Sequence, residues 1–140
     1  MKVAIPVPVS NRLIASFPRR ERERILARCE PIDLEYGALL CEPDRPYRHV
    51  YFPLTAFIAL VEAVRGHPPL EMASIGNEGM LGATLALGVS TAPLRAVVQG
   101  GGSAWRMSAA ALQRELADSP QLRRALDRYL YMTMTQASKM

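Results

Sequence analysis

Thiols are scarce in this chain. Its 140 residues hold two cysteines, Cys29 and Cys41, and neither sits in a C-x-x-C pair. That excludes a disulfide or metal framework and a four-thiolate iron–sulfur cluster, and leaves two buried, reduced thiols as the expectation. Histidine is equally rare. His49 and His67 stand in different segments, so no metal ligands are assigned. No Ser-His-Asp or Gly-x-Ser-x-Gly arrangement is present, and nothing in the pattern sets Glu71 and Glu78 across a cleft. No catalytic residue is assigned, and the chain is not expected to be an enzyme. No apolar run approaches the roughly 20 residues of a membrane span. The N-terminus, MKVAIPVPVS, has one lysine and an apolar run cut by Pro6 and Pro8, with no small-residue cleavage site. It does not read as a signal peptide, and a cytoplasmic protein without a membrane partner is expected. A dense Lys/Arg block is also lacking. The net charge of +4 comes from arginines spread along the chain, which raises nucleic-acid partners only slightly. The alternating run Arg19-Arg20-Glu21-Arg22-Glu23-Arg24 reads as a solvated helix face.

What is present divides into three segments. Residues 1–30 form a helical entry: Asn11 caps a short helix, Pro18 interrupts it, and a second helix carries Ile25, Leu26 and Cys29 on one face. From residue 31 to residue 107 the period drops to two. About eight short strands, separated by Gly and Pro, give a mostly β protein with flanking helices, the pattern of a jelly roll or barrel. Residues 108–140 return to helix. Ser108 caps one, and Ser119-Pro120 starts a longer one, with a cap followed by proline at the first helical position. Along it Leu122, Leu126, Tyr129, Thr133, Gln136 and Met140 recur at steps of three and four. Such a stripe packs on its own barrel or on its twin from a second chain. A helix of about 20 residues spans roughly 30 Å, more than a small barrel needs, which favours a homodimer.

Within the β segment, residues 76–96 stand apart. Gly76, Gly79, Gly82 and Gly88 let backbone amides approach a ligand, and a short helix opening at Met80 would aim its positive end at an anion. Ser90 and Thr91 offer hydroxyl donors.

The order of pieces resembles the sensor domain of Crp/Fnr-type bacterial transcription regulators, the cyclic-nucleotide-binding-like fold. The matching residues are Asn11-Arg12-Leu13, the phrase Arg48-His49-Val50-Tyr51-Phe52-Pro53, the stretch Gly76-Asn77-Glu78-Gly79-Met80-Leu81-Gly82, then Thr91-Ala92-Pro93-Leu94-Arg95-Ala96 and Ser119-Pro120. The resemblance implies a β-roll with a phosphate-binding cassette, closed by a long helix that pairs two subunits. Its ligand-binding residues would be Glu78, Gly79, Met80, Leu81, Gly82, Ser90, Thr91 and Arg95. Members that bind cyclic AMP carry Gly-Glu-Leu-Gly and an Arg directly before Ser/Thr-Ala. Those Glu and Arg positions fall here on Met80 and Ser90, with Glu78 two residues early and Arg95 five late. The Thr-Ser pair that such members direct at the base falls on Ala137-Ser138. A cyclic nucleotide is therefore not expected, no cofactor is identified, and an unknown small effector is left open. Such regulators read DNA through a helix-turn-helix domain that this sequence does not contain, so DNA contact would belong to a longer protein. A stand-alone module acting through protein–protein contacts is the alternative.

Overall fold

Asn11 acts as a helix cap. Its side-chain oxygen accepts from the Ile14 N–H at 3.0 Å and starts helix α1 (Arg12–Ser16). Residues 10–138 are described by this computed structural model, with side chains as far as residue 136. The end of the expected stripe, Met140, and the side chains of Ala137 and Ser138 lie outside that range. Helix α2 (Arg19–Arg28) follows Pro18, which stands just before the helix rather than inside its first turn. Ile25 is fully buried while Leu26 is over a third exposed, so one residue carries most of this face.

The alternating run of α2 departs from the solvated face expected of it. Glu21 is buried and accepts from the Ser119 hydroxyl at 2.9 Å. Arg24 and Arg28 both reach the buried carboxylate of Glu115, at 2.8 and 3.4 Å. An alternation of signs says which residues are charged, not whether another helix lies across them. Here the helix carrying Glu115 does.

Where about eight strands were expected, seven strands form two antiparallel sheets among the described residues. They are β1 (Glu30–Leu34), β2 (Leu39–Cys41), β3 (His49–Pro53), β4 (Phe57–Glu62), β5 (Leu70–Ile75), β6 (Arg95–Gly100) and β7 (Gly102–Ser108). One sheet has the order β1-β7-β3 and the other β2-β6-β4-β5. Ahead of β6 the glycine-rich stretch adds two isolated bridges, Leu81 with Tyr51 and Thr91 with Pro46. At the β4–β5 hairpin Gly66 takes a positive φ of 77°, which the turn needs and glycine supplies without strain.

Helices α3 (Ala109–Asp118) and α4 (Pro120–Ser138) close the chain. Ser108 caps the first by accepting from the Ala111 N–H, and Ser119 the second by accepting from the Leu122 N–H, each at 3.0 Å. The alternation of strand side chains then builds two cores. From β3, Val50 and Phe52 point at the helices and pack with Leu13, Ile25, Leu112 and Leu126. Tyr51 points the other way, between the sheets, with Ile58, Val98 and Ala104. Cys29 and Cys41 are free and half-buried, and burial pushes the Cys29 thiol up to about 12, so it stays protonated at neutral pH.

Candidate functional site

The stretch after β5 is built backbone first. Beyond Ile75 the chain turns at Gly76, whose N–H donates to both carboxylate oxygens of Glu78 at 3.1 Å. The Gly79 N–H closes this turn on the Gly76 carbonyl at 3.2 Å. Asn11 then fastens it to the body: its side-chain amide donates to the carbonyls of Gly79 and Pro53, both at 2.9 Å. Leu81 exchanges two backbone bonds with Tyr51. Gly82 sits at φ +106°, and a Cβ there would lie 2.5 Å from the Val50 side chain, so glycine is obligatory.

That geometry relocates the expected helix. It does not open at Met80 but runs over Ala83–Leu87 as a single 3-10 element between two left-handed glycines, Gly82 and Gly88. Met80 and Leu81 cannot join it, because Leu81 is held in strand pairing and Gly82 has the wrong backbone hand. Five residues of 3-10 helix do not make the anion-directing terminus read from the spacing.

An open groove of about 1440 Å³ lies between this cassette, the β4–β5 face and α4. Met72, Ile75, Met80 and Met132 line its apolar part, and Arg12 and Arg128 bring positive charge to it. Of the residues expected to bind a ligand, Glu78, Met80, Leu81 and Gly82 line the groove, and Gly79 lies against the Tyr129 ring. Ser90, Thr91 and Arg95 do not line it. Ser90 and Thr91 are exposed on the turn after Gly88, and Arg95 is ion-paired with Glu42 at 2.7 Å.

The stripe expected to pair two chains is divided between two tasks. Leu122 and Leu126 are 1% and 0% exposed in the helical core of their own chain. Tyr129 is half-buried, and its hydroxyl oxygen accepts from the Met80 N–H at 3.1 Å. Thr133 and Gln136 are the stripe residues that remain exposed. Arg123 adds a second tie by donating to the Ala86 carbonyl. Burial raises the Tyr129 phenol above its ordinary value, the bond from Met80 opposes that, and the Glu78 carboxylate adds to it. The phenol is therefore neutral at physiological pH. The spacing of α4 put Tyr129 in the stripe expected to pair two chains and gave no hint of the amide it meets in its own chain. Arg12 was read only as part of the Asn11-Arg12-Leu13 entry, and Arg123 and Arg128 carried no motif, so all three were missed as site residues.

Among the described residues no three of His, Cys, Asp and Glu gather as a metal-ligand set. No described helix is long and apolar enough to cross a membrane. His49 lies beside Tyr51 with ring centres 6.3 Å apart and tilted by 57°, and it does not line the groove.

Two antiparallel sheets, a glycine-rich cassette and a long terminal helix define a cyclic-nucleotide-binding-like jelly roll, the fold implied by the Crp/Fnr resemblance. No protein-family model matches the chain, and no curated protein matches it. Solved structures do match. The N-terminal domain of a transcriptional regulator from Streptomyces coelicolor superposes with a TM-score of 0.67 at 16% identity, covering 92% of this chain and 90% of that one. The sensor domain of the transcriptional regulator DNR from Pseudomonas aeruginosa gives 0.67 at 16% identity, covering 91% and 86%. A cyclic nucleotide-binding domain from Methylobacillus flagellatus gives 0.67 at 15% identity, covering 88% and 69%. At such identities the likeness is one of fold.

Proposed function

We propose that this chain is the effector-sensing part of a transcription regulator, and that its effector is not a cyclic nucleotide. The observation that carries the reading is the groove itself, bounded on one side by cassette backbone and on the other by α4. A ligand there would touch the long helix α4. The sensor and regulator domains that share the fold favour this use.

Chemistry argues against a cyclic nucleotide. Met80 and Ser90 stand where cyclic-AMP binders of this type carry Glu and Arg. Met80 is buried in the helical core, and Ser90 is exposed outside the groove. The two residues nearest to substituting for them are engaged elsewhere, Glu78 on the Gly76 amide and Arg95 on Glu42. Charge-assisted bonds are worth about 1.5–3 kcal/mol each, so lacking both weakens binding by orders of magnitude. The exposed outer part of α4, with Met132 and Met134, is the surface through which two copies would pair. DNA would be read by another part of a longer regulator.

Thermal unfolding tests the reading. Cyclic AMP or cyclic GMP at millimolar concentration should leave Tm unchanged, because only a ligand that binds the native state raises it. A clear upward shift with either would overturn the exclusion. A panel of small apolar and anionic metabolites should contain a compound that does raise Tm, with the rise lost in Met132→Asp; a flat panel would instead favour the protein–protein module.

A further inference from the structure

In many ligand sites a free backbone amide waits for an acceptor. Here the amide is already occupied. The Tyr129 hydroxyl accepts from the Met80 N–H at 3.1 Å and lies 3.5 Å from the carbonyl of the same residue. The cassette is also shaped around this phenol. A Cβ added at Gly79 would lie 2.1 Å from the hydroxyl oxygen and 2.8 Å from the ring carbon that bears it. The glycine at position 79 is thus what lets a side chain from α4 enter, 50 residues along the chain. Tyr129 and Leu130 are half-buried against the body, while the next residues, Tyr131, Met132, Thr133 and Met134, are exposed.

We infer that the Tyr129 phenol is an internal ligand of the cassette, and that an effector must carry an acceptor oxygen able to take the Met80 amide from it. This rests on the sensing role proposed above and adds a specificity determinant to it. The phenol is tethered, so it competes at a high local concentration, and an apolar molecule without an acceptor cannot complete the exchange. Exchange has a direction. Leu122 and Leu126 stay in the core and hold the base of α4, whereas the helix from Tyr129 onward loses its tie when the phenol leaves. Filling the cassette and freeing the outer helix then become one event, and differential affinity for the latched and unlatched forms sets its extent.

Amide hydrogen exchange tests this without knowledge of the effector. In Tyr129→Phe the Met80 amide should exchange about tenfold faster, the scale of one lost hydrogen bond, and amides from residue 129 outward should follow. Residues 122–126 should keep their protection. Gly79→Ala should give the same pattern with the phenol intact, because its methyl group displaces the ring. A Met80 amide still protected in both variants would overturn the inference, as would exposure of that amide with α4 unchanged. Chemical rescue separates hydrogen bonding from packing. In Tyr129→Ala, p-cresol should restore protection at Met80, and toluene should not. Equal rescue by both, or rescue by neither, would reduce Tyr129 to a packing residue. These readings need no effector, so a flat metabolite panel would count against the sensing role and leave the latch standing.

Discussion

Asn11 shows how much one side chain does here. Its oxygen caps α1, and its amide holds the carbonyls of Pro53 and Gly79, joining the first helix to β3 and to the cassette. Asn11→Ala removes a cap worth about 1 kcal/mol and strips two buried carbonyls of their donor, so a loss of about 2–4 kcal/mol is expected in chemical denaturation. Asn11→Ser keeps a capping oxygen but cannot span to either carbonyl, and should fall between. A serine variant as stable as the wild type would mean that the two long-range bonds contribute nothing. The capping half of this role is legible in the sequence, since a cap acts on residues three positions away. The other half bridges 42 and 68 residues, and no local pattern encodes it. The same limit explains Arg95, whose distance from the cassette motif looked like a near miss and whose partner is Glu42.

At the scale of elements, α4 buries one face along its first half and is exposed along much of its second. Leu126 is wholly enclosed, so Leu126→Ala should destabilise the single chain by about 2–5 kcal/mol through lost transfer energy and the cavity left behind. Thr133→Ala and Gln136→Ala change exposed positions and should stay within about 0.5 kcal/mol. Sedimentation velocity reads the other half of the helix. If two copies pair through its exposed end, Met132→Glu with Met134→Glu should shift the protein towards monomer while the melting curve stays put. A wild-type protein that is strictly monomeric at high concentration would rule that pairing out. The stripe was visible in the spacing, yet spacing alone cannot tell a helix lying on its own sheet from one lying on a neighbour. Contacts decide it for part of the stripe: α4 packs on α3 and the 3-10 element, Leu122 and Leu126 lie in that helical core, and Thr133 and Gln136 are exposed. Strands were easier, because Gly and Pro punctuate them.

Whole-molecule behaviour with pH follows from the first residue of β3. His49 is held below its ordinary pKa, first by burial and then by Arg106 and Arg48, with Glu30 opposing. The native state thus favours neutral imidazole, and the unfolded chain binds that proton more tightly. Stability should therefore decline as pH drops through the ordinary histidine value of about 6.5 and below it, and be fully present above. Denaturation midpoints between pH 5 and pH 8 should show this slope, and His49→Gln should flatten it; an unchanged slope in that variant would assign it to other groups. One feature of the packing reaches further. Met80 and Ala83 lodge in the helical core, while Leu81, between them, lodges in the core enclosed by the two sheets. This short stitch is sewn into both halves of the body, so a displacement of it by a fraction of an ångström would be felt by sheet and helices together.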